Sequence, residues 1–320
     1  MITGAAGDAL AGLPALNASQ VKRIQRRCQI SPEGRTCGTG LRGTVVQAGG
    51  SNRRHQEEGE IVTEWDAKDY AQISGLQKVM ADEVLGLLEL KGCERLLDVG
   101  CGDGKITAEV AARLPQGAVV GVDPSVEMIN FAQSHWGTKH GSNMRFEVAD
   151  ARCLPFHDEF DLVISFNALH WIPEQEAALL SIRSAMKPGG TAQLRFVSHG
   201  PRESLEHVLR ETRQSPQWVS HFHGFHRPYL HLTPEEYGEL AEKCGLKVQS
   251  IHVSDKSWDF LSRSGFVAFA EVTFVEWTHL LTEADKAAFT TDVLDRYKAI
   301  VGNDHTFKFY QMDVRLGRES

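Results

Sequence analysis

No CxxC pair occurs among the six cysteines, at positions 28, 37, 93, 101, 153 and 244. A zinc ribbon and a disulfide-stapled secreted scaffold are therefore not expected, and the thiols suit a reduced, cytoplasmic chain. No stretch reaches the ~18 uncharged apolar residues that a membrane-spanning helix requires, and mean hydropathy is −0.28. The first residues lack a basic start followed by a sustained apolar run, so no secretory leader is expected. Basic charge is also short: 34 Lys and Arg against 42 Asp and Glu give −8. That balance argues against a general binder of nucleic-acid phosphates. What remains is an ordinary globular composition, 42% apolar and 24% charged over 320 residues, enough for one large α/β domain or two small ones.

Residues 1–60 differ from the rest. They are rich in Gly, Ala, Arg and Gln, hold eight basic against five acidic residues, and keep no apolar period for long. Such a segment cannot bury enough apolar surface to offset its ordering entropy, so it reads as a disordered extension. A targeting peptide or an upstream translation artefact would both look like this. Residues 61–320 carry the folded domain.

From residue 61 helical and strand patterns alternate. Asp69–Leu90 has apolar residues near helical spacing. Strands are expected at Arg95–Val99, Ala118–Val122, Met144–Val148, Asp161–Phe166 and Thr191–Val197, the last after a Lys187–Gly190 turn. Helices are expected at Ile106–Leu114, Ser125–Trp136 and Glu174–Met186. This is the rhythm of βαβ units and a parallel sheet covered on both faces. A helix over Pro234–Cys244 and strands over Leu246–Val253 and Thr306–Arg315 complete seven strands. The segments at about 61–92, 199–232 and 257–302 fit no sheet slot and are expected to form a helical cap.

The central motif is Asp98-Val99-Gly100-Cys101-Gly102-Asp103-Gly104, directly after a strand and opening a helix. Glycines there allow positive φ and close approach of a ligand to the backbone. A nicotinamide fingerprint needs GxGxxG, but the third glycine comes one position early and Lys105 stands where it would be. Asp123 closes the second strand, where a carboxylate can accept from both hydroxyls of a ribose. It could equally cap the following helix. Asp150 closes the third strand.

These features, with Phe160-Asp161 and Lys187-Pro188-Gly189-Gly190 in order, resemble the class I S-adenosylmethionine-dependent methyltransferases across roughly residues 94–197. The resemblance implies a Rossmann-like, mostly parallel seven-stranded sheet and S-adenosyl-L-methionine as cofactor. It places Asp98, Gly100, Gly102, Gly104, Asp123, Pro124, Met128, Asp150, Ala151 and Asn167 around that cofactor, with Asp150 toward the adenine amino group. Further segments are similar to the trans-aconitate and juvenile hormone acid methyltransferase branch: Trp65–Tyr70 with Ser74-Gly75-Leu76-Gln77, Asn167-Ala168-Leu169-His170-Trp171, and Phe274–Leu281. This similarity covers most of 62–315. It implies Gln77 and Trp171 as holders of an acceptor carboxylate.

The chemistry agrees with that class. A carboxylate is already ionised at pH 7, so methyl transfer to it needs alignment and exclusion of water rather than a general base. Trp171 and Gln77 also have plain structural readings, as core packing and helix surface. His170 could serve as base for a phenolic O, N, S or C acceptor, which keeps that alternative open. His221, His223, His226 and His231 lie within eleven residues but lack a nearby carboxylate or thiolate; no metal is expected, and they read as a pocket wall attractive to an acid. The expected partner is a small, acidic acceptor, not nucleic acid. The non-enzymatic alternative is a binding protein for the same cofactor.

Overall fold

The computed structural model describes residues 74–137, 143–223, 225 and 229–319. The segment read as an extension, residues 1–60, lies outside them. The seven strands are β1 Arg95–Val99, β2 Ala118–Asp123, β3 Met144–Val148, β4 Phe160–Phe166, β5 Met186–Ser198, β6 Lys247–Asp259 and β7 Thr306–Gly317. They form one sheet in the order β3-β2-β1-β4-β5-β7-β6. β1 to β5 pair in parallel, and β7 runs antiparallel to both β5 and β6. Helices α1 Ser74–Leu87, α2 Lys105–Ala112, α3 Val126–Trp136, α4 Gln175–Ala185, α5 Leu205–Gln214, α6 Pro234–Lys243, α7 Arg263–Thr273, α8 Val275–Thr278 and α9 Glu283–Val301 complete the described elements. This is the Rossmann-like arrangement.

Period-two alternation sorts the strand residues between two cores. Leu97, Val120 and Val163 face α4 and α6 in one cluster. Their neighbours Leu96, Val119 and Ile164 face α1, α2 and α3 in another. A third cluster joins α5, α7, α8 and α9 to the start of β7 through Trp277, Phe289, Tyr297 and Phe307.

Caps end the helices where the sequence offers them. Ser125 Oγ accepts from the Met128 N–H at 3.3 Å. Thr233 and Glu236 form a reciprocal capping box ahead of α6, in the manner expected of Thr-Pro-Glu-Glu. Among the described residues, no helix is long and apolar enough to cross a membrane.

Two expectations need correction. Lys187–Gly190 is not a free turn before β5: Met186 pairs with Phe160, and the register shifts between Phe160 and Leu162. Gly189 takes φ +77 there, so the Pro-Gly-Gly segment is an irregularity carried inside the strand. The expected cap segment 257–302 begins too early, because β6 pairs with β7 through Asp259↔Thr306. At that end Trp258, with Phe260 just past the strand, packs against the third cluster.

One ion-pair hub seats α1 on the sheet. Arg195 on β5 is buried and makes paired bonds to Asp313 on β7, at 2.6 and 2.9 Å. It also reaches Glu83 of α1 at 3.1 Å, and Lys256 holds the same Glu83 at 3.0 Å. Desolvation opposes the charge on Glu83, but the bonds and fields of Lys256 and Arg195 outweigh it and lower its pKa. Arg195→Met removes the buried cation and leaves the half-buried Asp313 without its partner. The expected result is a loss of about 3 kcal/mol, read as a lower denaturant midpoint at unchanged m.

Candidate active site

Strand order reverses beside β1: the chain runs outward through β2 and β3, then returns to place β4 on the other flank. Loops leaving β1 and β4 part at that point, which is where open α/β sheets bind ligands. The loop after β1 is pinned from below, with the Gly100 and Cys101 amides both donating to Val122 O at 2.8 and 2.9 Å. Gly100, Gly102 and Gly104 take φ +75, +53 and +78. A Cβ on Gly100 would meet the Ala168 Cβ at 2.2 Å, and one on Gly104 would meet Phe146 at 2.7 Å. A Cβ on Gly102 meets nothing within 4 Å. Gly100 and Gly104 are therefore glycine for packing, whereas Gly102 faces an open cradle.

Carboxylates surround this loop. Asp98 is buried and accepts from the Thr107 hydroxyl at 2.6 Å. Burial raises its pKa to about 7, helped by the charges of Asp123 and Asp103 and opposed by the Thr107 bond. Asp123 accepts from the Gly102 N–H at 3.1 Å through one oxygen and from the Ser125 N–H at 2.9 Å through the other. It thus ties the glycine loop to the turn before α3, whose helix cap is Ser125 and not Asp123. Pro124 is exposed. With Val148, Ala149, Asp150, Cys153 and Pro155 it lines a cleft of about 370 Å³ at the tips of β2 and β3.

Other residues singled out by sequence have unforeseen partners. Asp150 caps the short turn Ala151–Cys153 and takes three contacts from the Arg152 guanidinium, the shortest 2.6 Å. Arg152 also reaches Glu174 at 3.2 Å. Ala151 and Met128 are buried in the body of the domain. Asn167, with φ +55, accepts from Gln311 at 3.0 Å, and its amide points at Met80 Sδ at 3.6 Å. Gln77 lies on α1; its side chain is outside what the structure describes.

Past β4, Leu169–Trp171 forms a single tight turn held by the Gln175 amide, which donates to Leu169 O and to Ile172 O. His170 is buried, its Nδ1 has no partner among the described residues, and burial plus the neighbouring His231 hold its pKa well below the usual imidazole value. Trp171 is half-buried and stands edge-on to Trp277, ring centres 5.9 Å apart. Tyr229 lies 5.8 Å from Trp277 and 4.8 Å from His231, which is 5.9 Å from His170. These five rings form a continuous aromatic wall.

The histidine cluster does not assemble as expected. His221 and His223 are exposed, and His226 lies outside the described residues. His231 is the one that turns toward His170. Sequence spacing had grouped side chains that an irregular loop sends in different directions. Residues not foreseen from sequence include Thr107, Arg152, Gln175, Met80 and Gln311. A polar side chain within a β- or α-period carries no local mark of its partner across the fold.

Three carboxylates in mutual electrostatic contact at the loop favour a cationic ligand and oppose a pyrophosphate. With the strand order, this site defines a Rossmann-like methyltransferase. Comparison with known proteins agrees: residues 96–190 match the family model described as a methyltransferase domain. A trans-aconitate 2-methyltransferase of Streptomyces avermitilis is 31% identical, over 53% of this chain and 67% of its own length. A juvenile hormone acid O-methyltransferase of Bombyx mori is 32% identical over 48% of this chain and 56% of its own. A phosphoethanolamine N-methyltransferase of Haemonchus contortus, solved with S-adenosyl-L-methionine, matches in fold with a TM-score of 0.54 at 18% identity, covering 79% of this chain and 57% of that one.

The chain belongs to the class I S-adenosylmethionine-dependent methyltransferases, in the branch that holds the trans-aconitate and juvenile hormone acid enzymes. Its cofactor is S-adenosyl-L-methionine.

Proposed function

We propose that the protein methylates a carboxylate oxygen of a small, acidic molecule. The observation that carries this reading is His170. As the titratable side chain of the turn after β4, it is desolvated and held neutral, which makes it a poor acceptor of a proton from a phenol or an amine. A carboxylate needs no such acceptor, since it is ionised at neutral pH. The aromatic wall of Trp171, Trp277 and Tyr229 supports an acceptor with an apolar body, and Trp171 adds an N–H for its carboxylate. Two relatives named for acids, trans-aconitate and juvenile hormone acid, support the same class.

When bound, S-adenosyl-L-methionine supplies an electrophilic methyl group on a sulfonium. The residues that would hold it are Asp98, Gly100, Gly102, Gly104, Asp123, Pro124, Met128, Asp150, Ala151 and Asn167. The Gly102 cradle takes the close backbone approach. Asp123 keeps acceptor capacity beyond its two amide bonds, since a carboxylate has about four lone-pair directions. Asp98 and Asp103 contribute negative field. Gln77 and Trp171 orient the acceptor, and the aromatic wall excludes water from it.

The test is transfer of a radiolabelled methyl group to a panel of acids, phenols and amines. Alkali-labile label on acids is the expected outcome; label confined to phenols or amines overturns the reading. Trp171→Ala and Gln77→Ala are each expected to lower kcat/KM for the acid roughly tenfold or more, about 1.4 kcal/mol. The cofactor Kd should stay within twofold for both. At saturating cofactor, kcat should be flat between pH 6 and 9, whereas dependence on a basic group near neutral pH would favour the alternative acceptors.

A further inference from the structure

The contacts joining β7, the tip of β4 and α1 leave one buried acceptor unanswered. Gln311 is 1% exposed. It pairs with Val197 two residues beyond the Arg195↔Asp313 pair, so it lies on the sheet face that α1 covers. Its Nε2 donates to Asn167 Oδ1 at 3.0 Å. Asn167 is in the left-handed region at φ +55 and donates its own N–H to Arg195 O at 2.7 Å. Gln311 Oε1 accepts from nothing among the described residues.

A buried amide oxygen without a donor costs about 1–3 kcal/mol. The Gln311 Nε2 is accounted for by the bond to Asn167, but the orphan Oε1 is not, and that oxygen calls for a reason beyond packing. Its surroundings indicate one. Asn167 precedes Ala168, which lies against Gly100 of the glycine loop, and leads directly into His170 and Trp171. Met80, at 3.6 Å from the Asn167 amide, packs with Trp171 against the same apolar cluster. The orphan oxygen therefore belongs to the seam between the glycine loop and the aromatic wall. The flexible thioether of Met80, with three rotatable bonds, is the side chain that can give way to a ligand there.

We infer that Gln311 Oε1 receives a hydrogen-bond donor, a hydroxyl or amide N–H, carried by the methyl acceptor near its carboxylate. The inference rests on the carboxylate reading above and narrows it: the preferred acceptors are hydroxy or amido acids rather than plain acids. A site that buries a polar group for a substrate donor rejects the analogue lacking it by as much as 10⁴–10⁵, far more than a missing methylene is worth. Gln311 thus determines specificity without touching the donated methyl.

The experiment uses matched acid pairs with and without a 2-hydroxyl, beginning with 3-phenylpropanoate and 3-phenyllactate. Binding to the full-length protein saturated with S-adenosylhomocysteine is measured by calorimetry, and methyl transfer to the same acids is measured in parallel. The wild-type protein should favour the hydroxy acid by at least tenfold in both. Gln311→Met should bring that ratio near one and leave cofactor Kd within twofold. Gln311→Glu keeps an acceptor oxygen and should keep the preference, which covers the case in which the Met variant does not fold. A methylated acid with no hydroxyl preference, or a preference that survives Gln311→Met, overturns the inference alone. A tenfold loss of cofactor affinity in Gln311→Met overturns it as well, by giving the oxygen to the cofactor. Absence of binding and transfer for every acid overturns the carboxylate reading and this one together.

Discussion

Binding of S-adenosyl-L-methionine should weaken by up to roughly tenfold for each pH unit below 7 and be constant above it, because Asp98 must be ionised to favour the cation. In the ligand-free protein its carboxyl has a pKa of about 7, raised first by burial and then by Asp123 and Asp103. A ligand with a sulfonium and an ammonium is drawn to the ionised form, so below pH 7 each binding event releases a proton. Calorimetry in two buffers of different ionisation enthalpy measures that proton directly. Asp98→Asn should abolish both the proton release and the slope, leaving weak binding at every pH. Affinity unchanged between pH 6 and 8 in the wild-type protein would remove Asp98 from the site's electrostatics.

The same group acts on stability with the opposite sign. Its folded pKa lies above its unfolded value of 3.8, so the folded state binds the extra proton between those two values. The contribution of neutral Asp98 is complete below about pH 4 and is lost as pH rises through 7. The ligand-free protein should therefore be less stable at pH 8 than at pH 5, by roughly 3 kcal/mol on this account alone, the two pH units between 5 and the folded pKa of about 7 counting about 1.36 kcal/mol each. Asp98→Asn should recover part of that loss at pH 8 while losing cofactor affinity. Stability and binding would then move in opposite directions, as expected where a fold bears strain for its ligand.

The second large effect is at the glycine loop, where two substitutions should separate packing from binding. Gly100→Ala places a Cβ 2.2 Å from that of Ala168 on a backbone at φ +75. The loop or the β4 tip must shift, and cofactor affinity should fall at least a hundredfold, with a lower unfolding temperature. Gly102→Ala meets no atom within 4 Å and has φ +53, so the loss of stability should be only about 1 kcal/mol. Its methyl would nevertheless stand in the open cradle, and cofactor affinity should still fall tenfold or more. Equal affinity for the wild-type and Gly102→Ala proteins would show that the cradle does not receive the ligand.

Local rules made much of this protein legible. The run Arg95–Val99 is a short apolar segment closed by glycine, and β1 occupies those residues. Met144–Val148 likewise coincides with β3. Ser125 sits where a capping hydroxyl is expected and caps α3. β6 was harder to read: beyond Val253 its residues alternate between polar and half-buried ones, and much of what defines it as strand is the antiparallel partner in β7. The histidines between 221 and 231 were grouped by proximity along the chain. The structure turns His231 toward His170 and leaves His221 and His223 in solvent, because an irregular loop has no period to relate spacing to direction.

At the site the division follows the range of the interactions. The order of residues by itself determined the glycine positions, the acid at each strand end and the crossover rhythm, because backbone permission, caps and periodicity act over a few neighbouring residues. Only the folded arrangement decided what those groups experience. Asp98 gains its raised pKa from burial and from carboxylates 5 and 25 positions away. Asp150 is paired by Arg152, and Arg152 is steadied by Glu174. Gln311 meets Asn167 across 144 residues of chain. Desolvation and hydrogen-bond supply depend on what packs overhead, and no stretch of sequence carries that information until the sheet has brought its strands together.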